Sequence, residues 1–346
     1  MTKTFKRGFA VESLTSHFNN HQSLIGALLD RWVLPGDPGD LDCGEVPLRL
    51  AVRDSYLNLY ANGQSVAKIS APGGKPRLDV HWKYVGGIRK APTRKLNEGN
   101  TYRHEGKTYR PFSGDALSDN AAVHIVAGWI DTAMTYAGDE KKFVEHLVAR
   151  NANVIDLEMG LPGDPNFVSC KPEKQGKAGL FAPRMDVVVI VPDAASTAVH
   201  FWEAKLASND ELRARTLIDQ PEHQPHVCYQ LTDYTTWMKA HSNAVASAYS
   251  TAVETLKALA EECGKTGDAL TMWQTAKDTG WTVSPRPAII VANYDPCGKT
   301  DTQANRSLSF GKHKARLEAL DWHVREVSGR ECRHADLSGA IRGGAN

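Results

Sequence analysis

Near the middle of the chain an aspartate sits at the head of a strongly apolar segment, MDVVVIV (185–191). The next apolar segment, AVHFWEAKL (198–206), carries a Glu-x-Lys triplet. Side chains alternate faces along a strand, so Glu203 and Lys205 share one face. The stretch between the two segments, 192–197, has the composition of a turn. An antiparallel hairpin closed through it brings Asp186 and Glu203 to the same end. Two carboxylates with a main-chain carbonyl, here that of Ala204, form a hard oxygen site suited to Mg²⁺ or Mn²⁺. Such an ion polarises a phosphoryl oxygen and lowers the pKa of a bound water. Lys205 would orient that water and offset developing negative charge. An acid and a lysine among Phe201, Trp202 and Leu206 are expensive to bury without partners. The alternative is a salt-bridge set on an exposed edge hairpin.

Spacing alone does not select this triplet, because Glu105-Gly106-Lys107 and Glu140-Lys141-Lys142 share it. The first lies in a polar, turn-like stretch with no apolar strand and acid before it. The second opens a helix, where residues two apart do not share a face.

The elements that must position these residues follow from periodicity. Helix is expected at 139–151, with the apolar stripe Phe143, Val144, Leu147 and Val148, and strand at 153–159. After the hairpin come an amphipathic helix at about 227–241 and helical segments near 243–263 and 267–278. Strand 286–294, helix 312–320 and strand 322–328 complete the order. That order predicts an α/β (α+β) fold, a mixed sheet covered by helices, over residues 116–335, with a helical insertion at about 243–280. Residues 1–115 read as a β-rich unit. It has a helical start at 13–33, strand pattern over 46–69 around an Asn62-Gly63 turn, and a further strand at 78–85. A helix begins at Ser118 or Asp119 and runs to about Tyr136.

In order, Glu145, Asp186, Glu203-x-Lys205 and Gln230-xxx-Tyr234 resemble the PD-(D/E)xK nuclease superfamily, specifically its RecB-like branch, in which a Gln-xxx-Tyr helix follows the catalytic strand. The resemblance covers about residues 140–330 and leaves the N-terminal unit aside. It implies a restriction-endonuclease-like αβββαβ core, a divalent metal and hydrolysis of nucleic-acid phosphodiesters. Asp186 and Glu203 match the metal carboxylates and Lys205 the catalytic lysine. Gln230 and Tyr234 match helix residues that contact the site or the substrate, and Glu145 an early helix acid that some members use as a further metal ligand. The aspartate lacks the preceding proline of the family pattern, since Pro183-Arg184-Met185-Asp186 stands there. Some RecB-like members hold an iron–sulfur cluster on one upstream and three clustered downstream cysteines. Cys263, Cys297 and Cys332 are too dispersed for that.

Other chemistries fit less well. The six cysteines include no CxxC pair, which argues against a zinc ribbon or a disulfide framework. His223, His226 and Cys228 precede the Gln230 helix, but Pro221 and Pro225 oppose a helical histidine pair. Contact with substrate suits these imidazoles, or Arg213 and Arg215, better than zinc does. A glycosidase-type carboxylate pair has no use for a lysine two residues from the acid.

The chain's net charge of +1 hides an asymmetry. From Lys68 to Arg110 eleven basic residues face three acidic ones, a balance of +8, which leaves −7 for the rest. Interleaved with Trp82, Tyr84, Tyr102, Tyr109 and Phe112, this stretch is suited to a phosphate backbone, or is a solvated charged surface. No apolar run is long enough to span a membrane, and no secretory signal is evident, so a cytoplasmic location is expected. The leading expectation is a metal-dependent DNA nuclease whose N-terminal unit recognises substrate or assembles a homo-oligomer. Genome defence enters as a setting by analogy alone. The competing expectation is a catalytically weak module that keeps the fold and senses nucleic acid, against which the intact Asp, Glu and Lys speak.

Overall fold

The computed structural model describes residues 4–39, 46–85, 108–162, 167, 169–170, 184–213, 224–277, 280–293, 303–328 and 337. Strands β1 (Arg49–Val52), β2 (Tyr56–Ala61), β3 (Gln64–Ser70), β4 (Arg77–His81) and β5 (Tyr109–Ser113) form a five-stranded antiparallel sheet in that order. Asn62 and Gly63 turn β2 into β3 with positive φ of 43° and 68°, the conformation that this residue pair tolerates and that suits a two-residue hairpin.

The expected helix over 13–33 is broken. A 3₁₀ turn at Val11–His17 is followed by α1 (Leu24–Asp30). Asn19 takes a left-handed φ of 55°, and Ser23 caps α1 by accepting from the Gly26 amide at 3.2 Å. The strand expected over 78–85 likewise stops at His81 and gives way to α2 (Trp82–Val85). Next, α3 (Ala122–Met134) lies against α1, α2, β2 and β3, so this helix covers the first sheet. Of the basic stretch, Arg89, Lys90, Arg94, Lys95, Arg103 and Lys107 lie outside the described residues. Lys68 is stacked over Tyr109 and Tyr56, and Lys83 over Tyr84 and Tyr136.

The second sheet is mixed. After α4 (Asp139–Val148) come β6 (Val154–Gly160), β7 (Arg184–Pro192) and β8 (Ser196–Leu206), antiparallel neighbours in that order. The next element is α5 (His226–Glu262), one 37-residue helix where two segments were expected. Only His241, at φ −123°, departs from helical geometry inside it. Its ring lies against that of Trp237 with centroids 4.3 Å apart. Following α6 (Asp268–Lys277), β9 (Gly280–Val283), which was not foreseen, and β10 (Ala288–Ala292) both pair parallel with β8, β9 near its start and β10 near its end. Last come α7 (Gln303–Ala319) and β11 (Val324–Val327), which runs parallel to β10.

Period-2 alternation buries both faces of this sheet. Val187, Val189, Trp202, Ala204 and Ile290 pack on the predicted stripe of α4, Phe143, Val144, Leu147 and Val148. Val188, Ile190, Phe201, Ile289 and Val291 belong to the large core that includes Leu231, Tyr234 and Met238 of α5. That core also takes in the apolar residues of the first sheet, so the two sheets share one interior. The architecture is therefore mixed α/β with two sheets, as the order of elements predicts. Among the described residues no helix is long and apolar enough to cross a membrane.

Candidate active site

Val187 is paired with Trp202, and the same register carried one step further sets Asp186 opposite Glu203. Alternation places both on the α5 face, beside Val188 and Phe201. Asp186 Oδ2 accepts the Ala204 main-chain N–H at 3.0 Å. The N–H and C=O of a strand residue point to the same side, so the Ala204 carbonyl is turned towards Asp186 as well. Lys205 Nζ donates to Glu203 Oε1 at 2.6 Å and lies 3.1 Å from Glu211 Oε2. Two residues of the first turns of α5 complete the set. Gln230 Nε2 donates to Glu203 Oε1 at 2.8 Å and to the Tyr234 hydroxyl, which in turn donates to the Arg184 carbonyl. The structure thus brings Asp186, Glu203, Ala204, Lys205, Gln230 and Tyr234 together.

Burial and neighbouring charges set the protonation of this group of residues. Glu203 is only 2% exposed, and its second oxygen, Oε2, is buried with no hydrogen-bond partner among the described residues. An uncompensated buried carboxylate oxygen is unfavourable and calls for an explanation. Burial, then the nearby Asp186, pushes the Glu203 carboxyl up to about 8 against the pull of Lys205. Burial opposes the Lys205 charge, but Glu203, Asp186 and Glu211 outweigh it and hold the ammonium well above its ordinary range. Burial, reinforced by Glu203, keeps Tyr234 a neutral donor.

Glu145 lies elsewhere. Its Oε1 accepts from Arg49 Nε at 2.8 Å, and Arg49 also donates to the carbonyls of Val33, Leu34 and Asp37. Glu145 therefore ties α4 to β1 and makes no contact with Asp186 or Glu203 among the described residues. The histidine–cysteine reading gains nothing either. His223 and Arg215 lie outside the described residues. His226 faces Glu211, and burial pushes the Cys228 thiol up to about 12. Arg213 is bound to the carbonyls of Asn209 and Ala207.

Two residues that the sequence did not single out join the site. Glu158 of β6, 8% exposed, falls between the Leu157–Val187 and Met159–Met185 pairs, beside Asp186. Its φ of 53° is a left-handed conformation that costs a non-glycine residue about 1–3 kcal/mol. Lys141, in the first turn of α4, forms an ion pair with Glu158 and lies 3.5 Å from Asp186 Oδ1. A signal for Glu158 was present: VIDLEM places two acids in a strand that is otherwise apolar. Nothing marked Lys141. The Glu140-Lys141-Lys142 triplet set aside as helical also borders the site, since Glu140 Oε1 accepts from the Leu206 amide and from Asn209.

Comparison with protein-family models finds no match for this chain, and comparisons with curated proteins and with solved structures find none either. Among the described residues, no three His, Cys, Asp or Glu side chains are grouped as metal ligands. A donor set of two facing carboxylates and a carbonyl nevertheless fits a hard divalent cation. Such an ion would give the orphaned Glu203 Oε2 the partner it lacks.

Proposed function

We propose that the chain is a metal-dependent nuclease with a restriction-endonuclease-like core, hydrolysing phosphodiester bonds in nucleic acid, DNA foremost. The observation that carries this reading is the Asp186–Glu203–Lys205 set. An orphaned carboxylate oxygen is buried opposite a second carboxylate, with an ammonium fixed 2.6 Å from the first. With α6 and β9 inserted between α5 and β10, the order α4, β6, β7, β8, α5, β10 is compatible with the αβββαβ pattern implied by the resemblance.

Asp186, Glu203 and the Ala204 carbonyl would hold Mg²⁺ or Mn²⁺, which supplies Lewis-acid stabilisation and an acidified water. The remaining work belongs to the chain. Gln230 fixes the rotamer of Glu203 through Oε1 and so aims Oε2. Tyr234 anchors Gln230 to the start of β7 through the Arg184 carbonyl. Lys205, held by Glu203 and Glu211, presents positive charge beside the scissile phosphate, where charge grows in the transition state.

The test is cleavage of circular and linear DNA by the purified protein with Mg²⁺, Mn²⁺ or EDTA. We expect turnover with either ion, none with chelator, and binding without turnover in Ca²⁺. Chelator-resistant cleavage, or full cleavage by a folded Glu203→Ala variant, would sink the assignment.

A further inference from the structure

Resting on that reading, we propose that Lys141 is the second cation of the centre, a resident ammonium between Glu158 and Asp186 that restricts it to one divalent ion. Three adjacent strands each contribute one carboxylate: Glu158 from β6, Asp186 from β7 and Glu203 from β8. Phosphodiester-cleaving centres of the two-ion kind clamp the attacking and leaving oxygens between a pair of cations, usually about 4 Å apart. Here Glu203, opposite Asp186 in register, keeps an Oε2 without a partner among the described residues, whereas Lys141 Nζ lies between Glu158 and Asp186. Along this line positive and negative charges alternate: Glu158, Lys141, Asp186, the ion seat, Glu203, Lys205. A second divalent ion would have to displace an ammonium paired with a carboxylate that is only 8% exposed.

Lys141 of α4 is held there by the turn of the other sheet. Gly63, in the β2–β3 turn, packs on the lysine's methylene stem. A Cβ at Gly63 would stand 2.8 Å from Lys141 Cδ, too close to be accepted without movement. Glu158 is fixed from the same direction. Arg53, following β1, donates to the Leu157 carbonyl at 2.6 Å and to the Glu158 carbonyl at 3.5 Å, on either side of the strained Glu158 φ. A surface lysine making a chance ion pair needs neither the clamp on its stem nor a strained partner.

The experiment counts Mn²⁺ bound to the full chain without nucleic acid, by calorimetry and by paramagnetic resonance of free Mn²⁺. Wild type is expected to bind one ion. Lys141→Met, which keeps the stem and removes the charge, is expected to bind two. Adding Glu158→Gln to Lys141→Met should return the count to one. Should Lys141→Met fail to fold, Lys141→Gln reads the same quantity. Two ions on wild type, or one on a folded charge-free variant, would overturn the proposal and leave the nuclease reading standing. No ion on wild type would overturn the metal reading itself, and this inference with it.

Discussion

Asp156 and Glu203 are both buried carboxylates, 1% and 2% exposed, and each meets a cation, yet they are built to opposite ends. Every lone pair of Asp156 is used. Oδ1 accepts from Arg53 and from the Leu157 amide at 2.8 Å, and Oδ2 from Tyr249 at 3.0 Å and Arg7 at 3.4 Å. Those partners come from the N-terminal segment, the first sheet, β6 and α5, so the cluster fastens the two sheets together. Glu203 takes two donors on one oxygen and none on the other, with a second carboxylate opposite. A buried charge that is fully met costs little to keep and much to break. One left half-met is unfavourable as a charge, and either a proton or a bound cation relieves it. The first arrangement is that of architecture, and the second is the one the proposed metal site requires.

Exchanging the charge at each centre for an amide should break this contrast most plainly. Glu203→Gln is expected to lower cleavage roughly 10⁴-fold, because members of a catalytic unit fail together. It should leave the melting temperature unchanged or raised, since it removes a like-charge conflict with Asp186. Asp156→Asn should do the reverse. It leaves two buried guanidinium groups without their counter-charge and is expected to cost about 3–5 kcal/mol of stability in denaturant titrations. Cleavage per folded molecule should survive. A destabilised Glu203→Gln, or an inactive but stable Asp156→Asn, would erase the distinction.

How much of this contrast sequence could supply depends on which contacts are local. Asp186, Glu203 and Lys205 were legible because a two-residue period and a short turn fix strand register within about twenty residues. Gln230 and Tyr234, which the structure places by Glu203, were singled out only through the family resemblance, since an i, i+4 pair on a helix is ordinary packing. Glu158 carried a compositional signal, but its place beside Asp186 was not legible, because the β6 register shifts between Val154 and Asp156 and its φ is positive. Lys141 depends on a turn in the other sheet, and periodicity says nothing about such a contact. Glu145 shows the converse: the resemblance makes it a candidate metal ligand, and the structure pairs it with Arg49. Its helix and apolar stripe were read correctly, but a stripe does not say which partner a neighbouring acid meets.

Acidity sharpens the contrast further. The Glu203 carboxyl is raised from 4.5 to about 8, so between those values the folded, metal-free protein holds a proton that the unfolded chain has released. Stability of the metal-free protein should therefore fall as pH rises through that window. Lys205, whose ammonium is held above its ordinary range, changes nothing there, because its contribution is lost only at strongly alkaline pH. Thermal melts from pH 5 to 8 in chelator should show the decline in wild type and lack it in Glu203→Gln. Because a divalent ion needs the carboxylate, Mn²⁺ affinity should climb over the same range. Calorimetry in buffers of different ionisation enthalpy should detect the released proton. A flat affinity profile would mean that Glu203 is already ionised and that the conflict with Asp186 is weaker than the geometry indicates.

The smallest effect is expected at Glu145, a third buried carboxylate and the one that the family pattern would place among the metal ligands. Burial raises its carboxyl above the ordinary range even against the pull of Arg49. Its partner would not be stranded by its loss, since Arg49 keeps the carbonyls of Val33, Leu34 and Asp37 at 3.2, 2.7 and 2.9 Å. Glu145→Gln still offers an oxygen to Arg49, so its cost should be about 1.5–3 kcal/mol at most, the worth of one hydrogen bond to a charged group. The Mn²⁺ count and the cleavage rate should stay at wild-type values. A change in metal affinity without loss of stability would move Glu145 from the Asp156 kind of carboxylate to the Glu203 kind. The partner on the page is a guanidinium satisfied on every side, and on that ground Glu145 belongs with the architecture.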